Sequence, residues 1–253
     1  MAPQTVLVIP CYNEAKRLNF KAFEELLRKE GVELLFVDDG STDFTSADLA
    51  QFCSQHSDRA SLLTQPTNQG KATAVRKGLL KAVDKADIVG FADADLATPP
   101  EELFRLADLL NAAPKTVNVV IGSRIKRLGS IIDRSLMRHL CGRVFATFAS
   151  LTLGVGVYDT QCGAKFFRNT ASFRRALEKP FITRWIFDVE LLGRLIKEYD
   201  TTGTKGVDSI LEVPLDIWID VSGSKINFWT GVFSVLSLAK VYRDLKRPYN
   251  TQQ

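Results

Sequence analysis

Ile88-Val89-Gly90-Phe91-Ala92-Asp93-Ala94-Asp95 is the stretch on which the fold turns. Five uncharged residues ending at two acids are too short for a stable helix and predict a buried strand. Pro99-Pro100 follows and opens an amphipathic run over residues 101–111, so strand passes to helix across one short loop. The same alternation extends both ways. Apolar runs at 5–9, 33–37, 61–64 and 117–121 predict strands, and three- and four-residue apolar spacing at 20–30, 44–54 and 71–83 predicts helices. Strand and helix in strict alternation predict an α/β fold with a mostly parallel, doubly wound sheet flanked by helices. Ligands in such sheets gather at the carboxyl ends of the strands. There the unusual residues fall, at 10–14, 38–43, 93–95 and 122–124.

The chain of 253 residues is 45% apolar and 25% charged, which excludes wholesale disorder, a collagen-like chain and a disulfide-stapled miniprotein. Its 33 Lys plus Arg against 29 Asp plus Glu give a net charge of +4, too mild to imply nucleic acid. Cys11, Cys53, Cys141 and Cys162 are few and widely spaced, as in a reducing compartment. Cys53/His56 and His139/Cys141 lack the second pair that a zinc site needs. No charged region precedes a long apolar core at the N-terminus, and no run of ~18 apolar residues predicts a membrane span.

Beyond Arg124 the pattern is less regular. Residues 131–153 predict one long helix with a basic face, 154–167 a turn-rich segment and then a strand, 185–199 a helix and 210–213 a strand. The last run, 225 to about 243, has fourteen uncharged residues between Lys225 and Lys240. Its polar residues fall on a narrow stripe, which fits a helix in a membrane interface or one covering the core. Trp185, Trp218 and Trp229 are expected in packing.

Asp93 and Asp95, two residues apart where a strand becomes a loop, can converge on a hard cation such as Mg²⁺ or Mn²⁺ that takes its other ligands from phosphates. Alone, such a triplet reads better as a solvated turn. Asp38 and Asp39 also end a strand, where carboxylates can accept from a nucleobase or ribose, and buried carboxylates need partners. Asn68-Gln69-Gly70-Lys71 opens a helix whose N–H groups and lysine suit an anion, without the spacing of a P-loop. Between Arg124 and Arg143 stand six Lys or Arg against one acid, Asp133. These read as a solvated face or as a phosphate clamp; Phe145 and Phe148 look apolar-facing, unlike the stacking aromatics of a nucleic-acid surface.

Together, Pro10-Cys11-Tyr12-Asn13-Glu14, Val37-Asp38-Asp39-Gly40-Ser41-Thr42-Asp43, Asn68-Gln69-Gly70-Lys71, Asp93-Ala94-Asp95 and Gly122-Ser123-Arg124 resemble family 2 glycosyltransferases in order and spacing. The similarity continues through Asp159-Thr160-Gln161-Cys162-Gly163, Trp185-Ile186-Phe187-Asp188-Val189-Glu190 and Ser222-Gly223-Ser224-Lys225-Ile226, from about residue 4 to about 243. Within the family it looks most like the polyprenyl-phosphate sugar synthases, the dolichyl-phosphate glucosyl- and mannosyltransferases.

That resemblance implies a GT-A catalytic domain over 1–245, with a nucleotide-sugar half at 1–123 and an acceptor half at 124–245. It implies an inverting, metal-dependent hexosyl transfer, with UDP-glucose as donor (GDP-mannose second) and a polyprenyl phosphate as acceptor. Pro10, Tyr12, Asn13, Glu14, Asp38, Asp39, Gly70, Lys71, Asp93 and Ala94 would bind the nucleotide sugar, and Asp93 and Asp95 the Mg²⁺ or Mn²⁺. Arg124, Arg134, Arg138 and Lys225 would hold the acceptor phosphate. Ala97 stands where mannose synthases often carry a polar residue that assists the metal, which favours a glucosyl-type relative.

A phosphate acceptor is already anionic and can attack the anomeric carbon without a general base, whereas a hydroxyl acceptor requires one; Asp159, ahead of Asp188, is the candidate carboxylate for that role. Either also fits a structural pair with Lys165 or Arg184. The expected setting is cytoplasmic, with peripheral membrane contact or a membrane-anchoring partner. The rival readings are a family 2 enzyme acting on a soluble hydroxyl, a sugar nucleotidylyltransferase, and a non-catalytic binding protein. The nucleotidylyltransferase lacks support because no Gly-rich phosphate loop follows the first strand.

Overall fold

A computed structural model of the chain describes residues 4–133, 136–203, 205–221 and 228–247. The first half runs β1 (Thr5–Cys11), α1 (Phe20–Arg28), β2 (Val32–Asp38), α2 (Thr45–Gln55), β3 (Ala60–Thr64), α3 (Lys71–Ala82), β4 (Ile88–Ala92), α4 (Pro100–Ala112) and β5 (Val119–Ser123). The second half runs β6 (Ile131–Asp133), α5 (Leu136–Leu153), β7 (Ala164–Arg168), α6 (Ala171–Glu178), α7 (Phe187–Asp200), β8 (Ile210–Pro214), β9 (Ile217–Ile219) and α8 (Phe228–Lys246).

Seven strands form one sheet in the order β3-β2-β1-β4-β7-β5-β8. All neighbours are parallel except at β7, which runs antiparallel to both β4 and β5. Strands buried on both faces need helices on both, and the sheet accordingly separates two apolar layers. On one side Phe23, Phe36 and Phe52 pack edge to face beneath α1 and α2. On the other, Phe91, Phe167, Phe173 and Phe187 pack beneath α3, α6 and α7. Burying each such ring stabilises the fold by roughly 1.5–3 kcal/mol. Capping is local: the Asn19 side chain accepts from Ala22 N at the start of α1. Pro100, Glu101 and Glu102 in the first turn of α4 complement its orphan N–H groups and dipole.

The second half departs from expectation in three places. Residues 131–153 do not form one helix, because Ile131–Asp133 is extended and pairs in parallel with β9, Ile132 opposite Trp218. Two β-branched residues beside a buried Trp favour a strand, and the helix starts only at Leu136. Helix α6 was not anticipated; Thr170 caps it by accepting from Phe173 N at 3.1 Å. Phe148, expected to face the core, is 44% exposed.

Helix α8 forms as expected, and Leu238 and Val241 bury against Ala149 of α5 and Ile186 and Val189 at the start of α7. Its C-terminal half therefore covers core; the side chains of residues 228–236, Trp229 included, lie outside the described residues. Among the described residues, no helix is long and apolar enough to cross a membrane.

Candidate active site

The carboxyl ends of β1, β2 and β4, joined by the loop before β7 and one face of α5, enclose a cleft of about 550 Å³. Pro10, Tyr12, Glu14, Asp39, Gly70, Lys71, Asp93, Ala94 and Asp95 all line it. Arg124, Asp159 and Asp188 line it too, so residues spread over more than 170 positions converge on one space.

Each residue is held by chemistry that can be traced. Asp39 is buried and its carboxylate accepts from Gln65 Nε2 at 2.9 Å, Gln69 N at 2.8 Å and Gly70 N at 2.7 Å. The β2 end is thereby locked to the start of α3. Gly70 has φ +95°, a backbone conformation that calls for glycine, and the Arg184 side chain lies against it. Asp38 and Asn13 do not line the cleft. Asp38 accepts from Ser41 N at 3.1 Å, closing the turn after β2, and Asn13 accepts from Thr42 N at 2.8 Å, fastening the loop after β1 to the loop after β2.

At the end of β4, Lys71 Nζ donates to Asp93 at 2.5 Å. Asp93 lies directly over Gly163, where a Cβ would come within 1.9 Å of its Oδ2. This explains the glycine that closes Asp159-Thr160-Gln161-Cys162-Gly163. Desolvation in the cleft opposes charge on Asp93, but Lys71 above all, with Lys165 and Arg124, holds its carboxyl below the usual carboxylate range. Desolvation likewise opposes charge on Lys71, and Asp93, Asp188 and Asp95 outweigh it to raise that pKa. Asp95 behaves oppositely: burial, then the charge of Asp93, pushes its carboxyl up against the pull of Ala97 N–H and Arg17. Two adjacent carboxylates, one destabilised by the other, fit a divalent cation that takes its remaining ligands from a diphosphate and water. Among the described residues no group of three or more His, Cys, Asp or Glu could hold a metal alone.

The two carboxylates expected as possible bases are both ion-paired. Asp188 accepts from the buried Lys165 at 2.6 Å, and burial, opposed chiefly by Lys165, raises its pKa. Asp159 accepts from Arg124 Nε at 2.6 Å and Nη2 at 2.9 Å. Desolvation works against the Arg124 charge, but Asp159 outweighs it and raises that pKa. The segment carrying Asp159 is clamped from behind, since Glu212 accepts from Tyr158 N at 2.9 Å and Asp159 N at 2.8 Å. Cys162, beside it, has its thiol pushed up to about 12 by burial and then by Asp159, so it is packing rather than a nucleophile.

Of the expected acceptor-phosphate residues, Arg124 reaches the cleft, while Arg134, Lys225 and the side chain of Arg138 lie outside the described residues. Arg143, part of the same basic run, also lines the cleft; its guanidinium lies 3.9 Å over the Tyr158 ring. Trp218, expected in packing, is buried there but also faces the cleft, 5.3 Å from the Arg124 guanidinium. Trp185 is 38% exposed at the rim.

Sequence reasoning passed over Arg17 entirely. Its guanidinium donates from Nε and Nη2 to Glu14, each at 2.7 Å, and from Nη1 to Asp95 Oδ2 at 3.1 Å. The three-residue spacing from Glu14 was a usable signal; the contact across 78 positions was not.

Residues 6–177 match the model of glycosyl transferase family 2. The chain belongs to this family. It is 32% identical over 242 residues to the human dolichyl-phosphate beta-glucosyltransferase, covering 90% of this chain and 71% of that one. It is also 32% identical to the Dictyostelium discoideum protein of the same name, covering 87% and 68%. Among solved structures it is similar to Mycobacterium tuberculosis glucosyl-3-phosphoglycerate synthase in complex with Mn²⁺, UDP-glucose and phosphoglyceric acid. That likeness has a TM-score of 0.68 at 19% identity and covers 98% of this chain and 82% of that one. The sheet is therefore that of the GT-A glycosyltransferases.

Proposed function

We propose that this family 2 glycosyltransferase moves glucose from UDP-glucose to a polyprenyl phosphate of the dolichyl type, with inversion at the anomeric carbon. The observation that carries the phosphate acceptor is the state of the two carboxylates nearest to the role of base. Asp159 is spent on Arg124 and Asp188 on Lys165, so an acceptor already anionic at neutral pH suits the cleft better than a hydroxyl. The relatives named dolichyl-phosphate beta-glucosyltransferase support the same acceptor and sugar. In this reading residues 1–123 carry the donor side and 124–245 the acceptor side.

The donor side works by placement. Pro10, Tyr12 and Glu14 lie where a base and ribose would sit, and Lys71 at the start of α3 meets the diphosphate. Asp93 and Asp95 would hold Mg²⁺ or Mn²⁺, which when bound supplies positive charge to the departing nucleoside diphosphate. Lys71 adds a fixed cation on the same side, and Asp93 keeps it charged and aimed. Arg124 and Arg143 offer guanidinium groups already fixed by Asp159 and Tyr158, so little ordering is required when the acceptor phosphate docks. A single displacement between these walls inverts the anomeric carbon.

The lipid must be reached from a membrane surface, and α5 carries a face suited to that. Met137, Leu140, Val144, Phe148 and Leu151 recur at three- and four-residue spacing and are each between 44% and 71% exposed. On the opposite face Arg143, Phe145 and Ala146 line the cleft. No acid occurs in α5, and Lys240 and Arg243 are exposed on α8, which packs beside it. Such a face suits an anionic bilayer, with the protein peripheral on the cytoplasmic side.

The decisive assay offers radiolabelled UDP-glucose and GDP-mannose with and without polyprenyl phosphate. Labelled lipid formed from UDP-glucose alone is the expected result. Transfer only to water-soluble hydroxyl acceptors would overturn the lipid reading while leaving the donor side intact.

A further inference from the structure

We propose that Arg17 is an internal counter-cation of Asp95, so that the free protein binds a divalent metal poorly and takes it up together with the nucleoside diphosphate. The inference rests on the metal and donor reading above. Arg17 is anchored by a two-point fork to Glu14, which leaves Nη1 to reach Asp95 Oδ2 at 3.1 Å. Its side chain is only 17% exposed, and both it and Asp95 line the cleft. It brings a guanidinium, itself paired with Glu14, into contact with one of the two carboxylates suited to hold the cation.

Electrostatics then sets an order. A metal approaching the free protein meets repulsion from Arg17 and must compete with it for Asp95. Lys71, hydrogen-bonded to Asp93, adds a second cation at the other carboxylate. Glu14, Asp93 and Asp95 face Arg17 and Lys71, so two of the three carboxylate charges are already answered and little is left to attract a divalent ion. A nucleoside diphosphate reverses this by adding negative charge and oxygen ligands at the same place. Metal and nucleotide are therefore coupled, each tightening the other by the same factor. The fork to Glu14 joins the coupling to the pocket beside Pro10 and Tyr12. Arg17 is a positioning residue here, acting through Asp95.

Mn²⁺ binding to the whole protein, read from the free-ion paramagnetic resonance signal, tests this without any turnover. Unmodified protein is expected to bind Mn²⁺ weakly alone and about tenfold or more tightly with UDP present. Arg17→Gln is expected to raise the affinity for Mn²⁺ alone about tenfold and to shrink the effect of UDP correspondingly. Arg17→Met, which keeps the side-chain stem, repeats the measurement independently. Arg17→Lys retains the charge, and its affinity is expected within about threefold of the unmodified protein. Unchanged or weakened Mn²⁺ binding in the neutral variants, or an equal gain in the lysine variant, would overturn the role of Arg17. Unmodified protein that binds no Mn²⁺ even with UDP would instead defeat the metal reading itself.

Discussion

The two walls of the cleft are built on opposite plans. The wall proposed for the donor is a row of strand ends, where β1, β2 and β4 deliver carboxylates and each carboxylate is tied to a cation or to backbone N–H groups. The wall proposed for the acceptor is the face of one helix and a clamped loop, where the cations Arg124 and Arg143 lead, fixed by Asp159 and Tyr158. In both walls charge is set by ion pairs and hydrogen bonds within the protein. The difference lies in precision. Strand ends at the centre of a buried sheet are fixed by neighbours on both sides, whereas α5 is packed on one face and open on the other.

Disabling the donor wall is expected to have the largest effect. Asp95→Ala should lower glucosyl transfer by roughly a thousandfold or more, with metal-dependent release of UDP lost in the same assay. Turnover within tenfold of the unmodified enzyme would remove Asp95 from the reaction. Next comes the seam between the walls. Gly163→Ala drives a methyl into the Asp93 carboxylate, and about a hundredfold loss of kcat is expected, with thermal unfolding showing the fold retained. A kcat unchanged in that variant would mean that Asp93 tolerates displacement. The outer face of α5 should give the smallest effect. Leu140→Asp with Leu151→Asp is expected to cut binding to anionic vesicles several-fold while UDP binding is unchanged. Equal vesicle binding would separate this face from the membrane.

Legibility in the sequence followed the same division. The five strands at 5–9, 33–37, 61–64, 88–92 and 117–121 were readable because a strand buried on both faces is apolar throughout, and turn residues punctuate its ends. The rule that ligands gather at the carboxyl ends of such strands then drew attention to Asp39, Asp93 and Asp95, and the family resemblance added Lys71 at the start of a helix. Strands β6 and β9, of three residues each, are too short for any period to show, so 131–153 read as a single helix. Ion pairs are harder still. Nothing local to Arg124 names Asp159, and nothing local to Arg17 names Asp95, because both contacts are created by the order of the sheet. Asp38 and Asn13 looked like ligands for the same reason that they are good loop fasteners, since a short side chain with an acceptor oxygen serves either purpose.

The reversed strand β7 carries a consequence for how the chain acquires its shape. It stands between β4 and β5, yet it follows β4 by some seventy residues and arrives after β6 and α5. Until it inserts, β4 has an unpaired edge and β5 has no neighbour within the first half. A nascent chain ending near residue 123 therefore exposes a sticky strand margin instead of a finished unit. Sheet closure must wait for distant segments to meet, which makes assembly slow relative to the local helices. The two halves of the chain share one folding event.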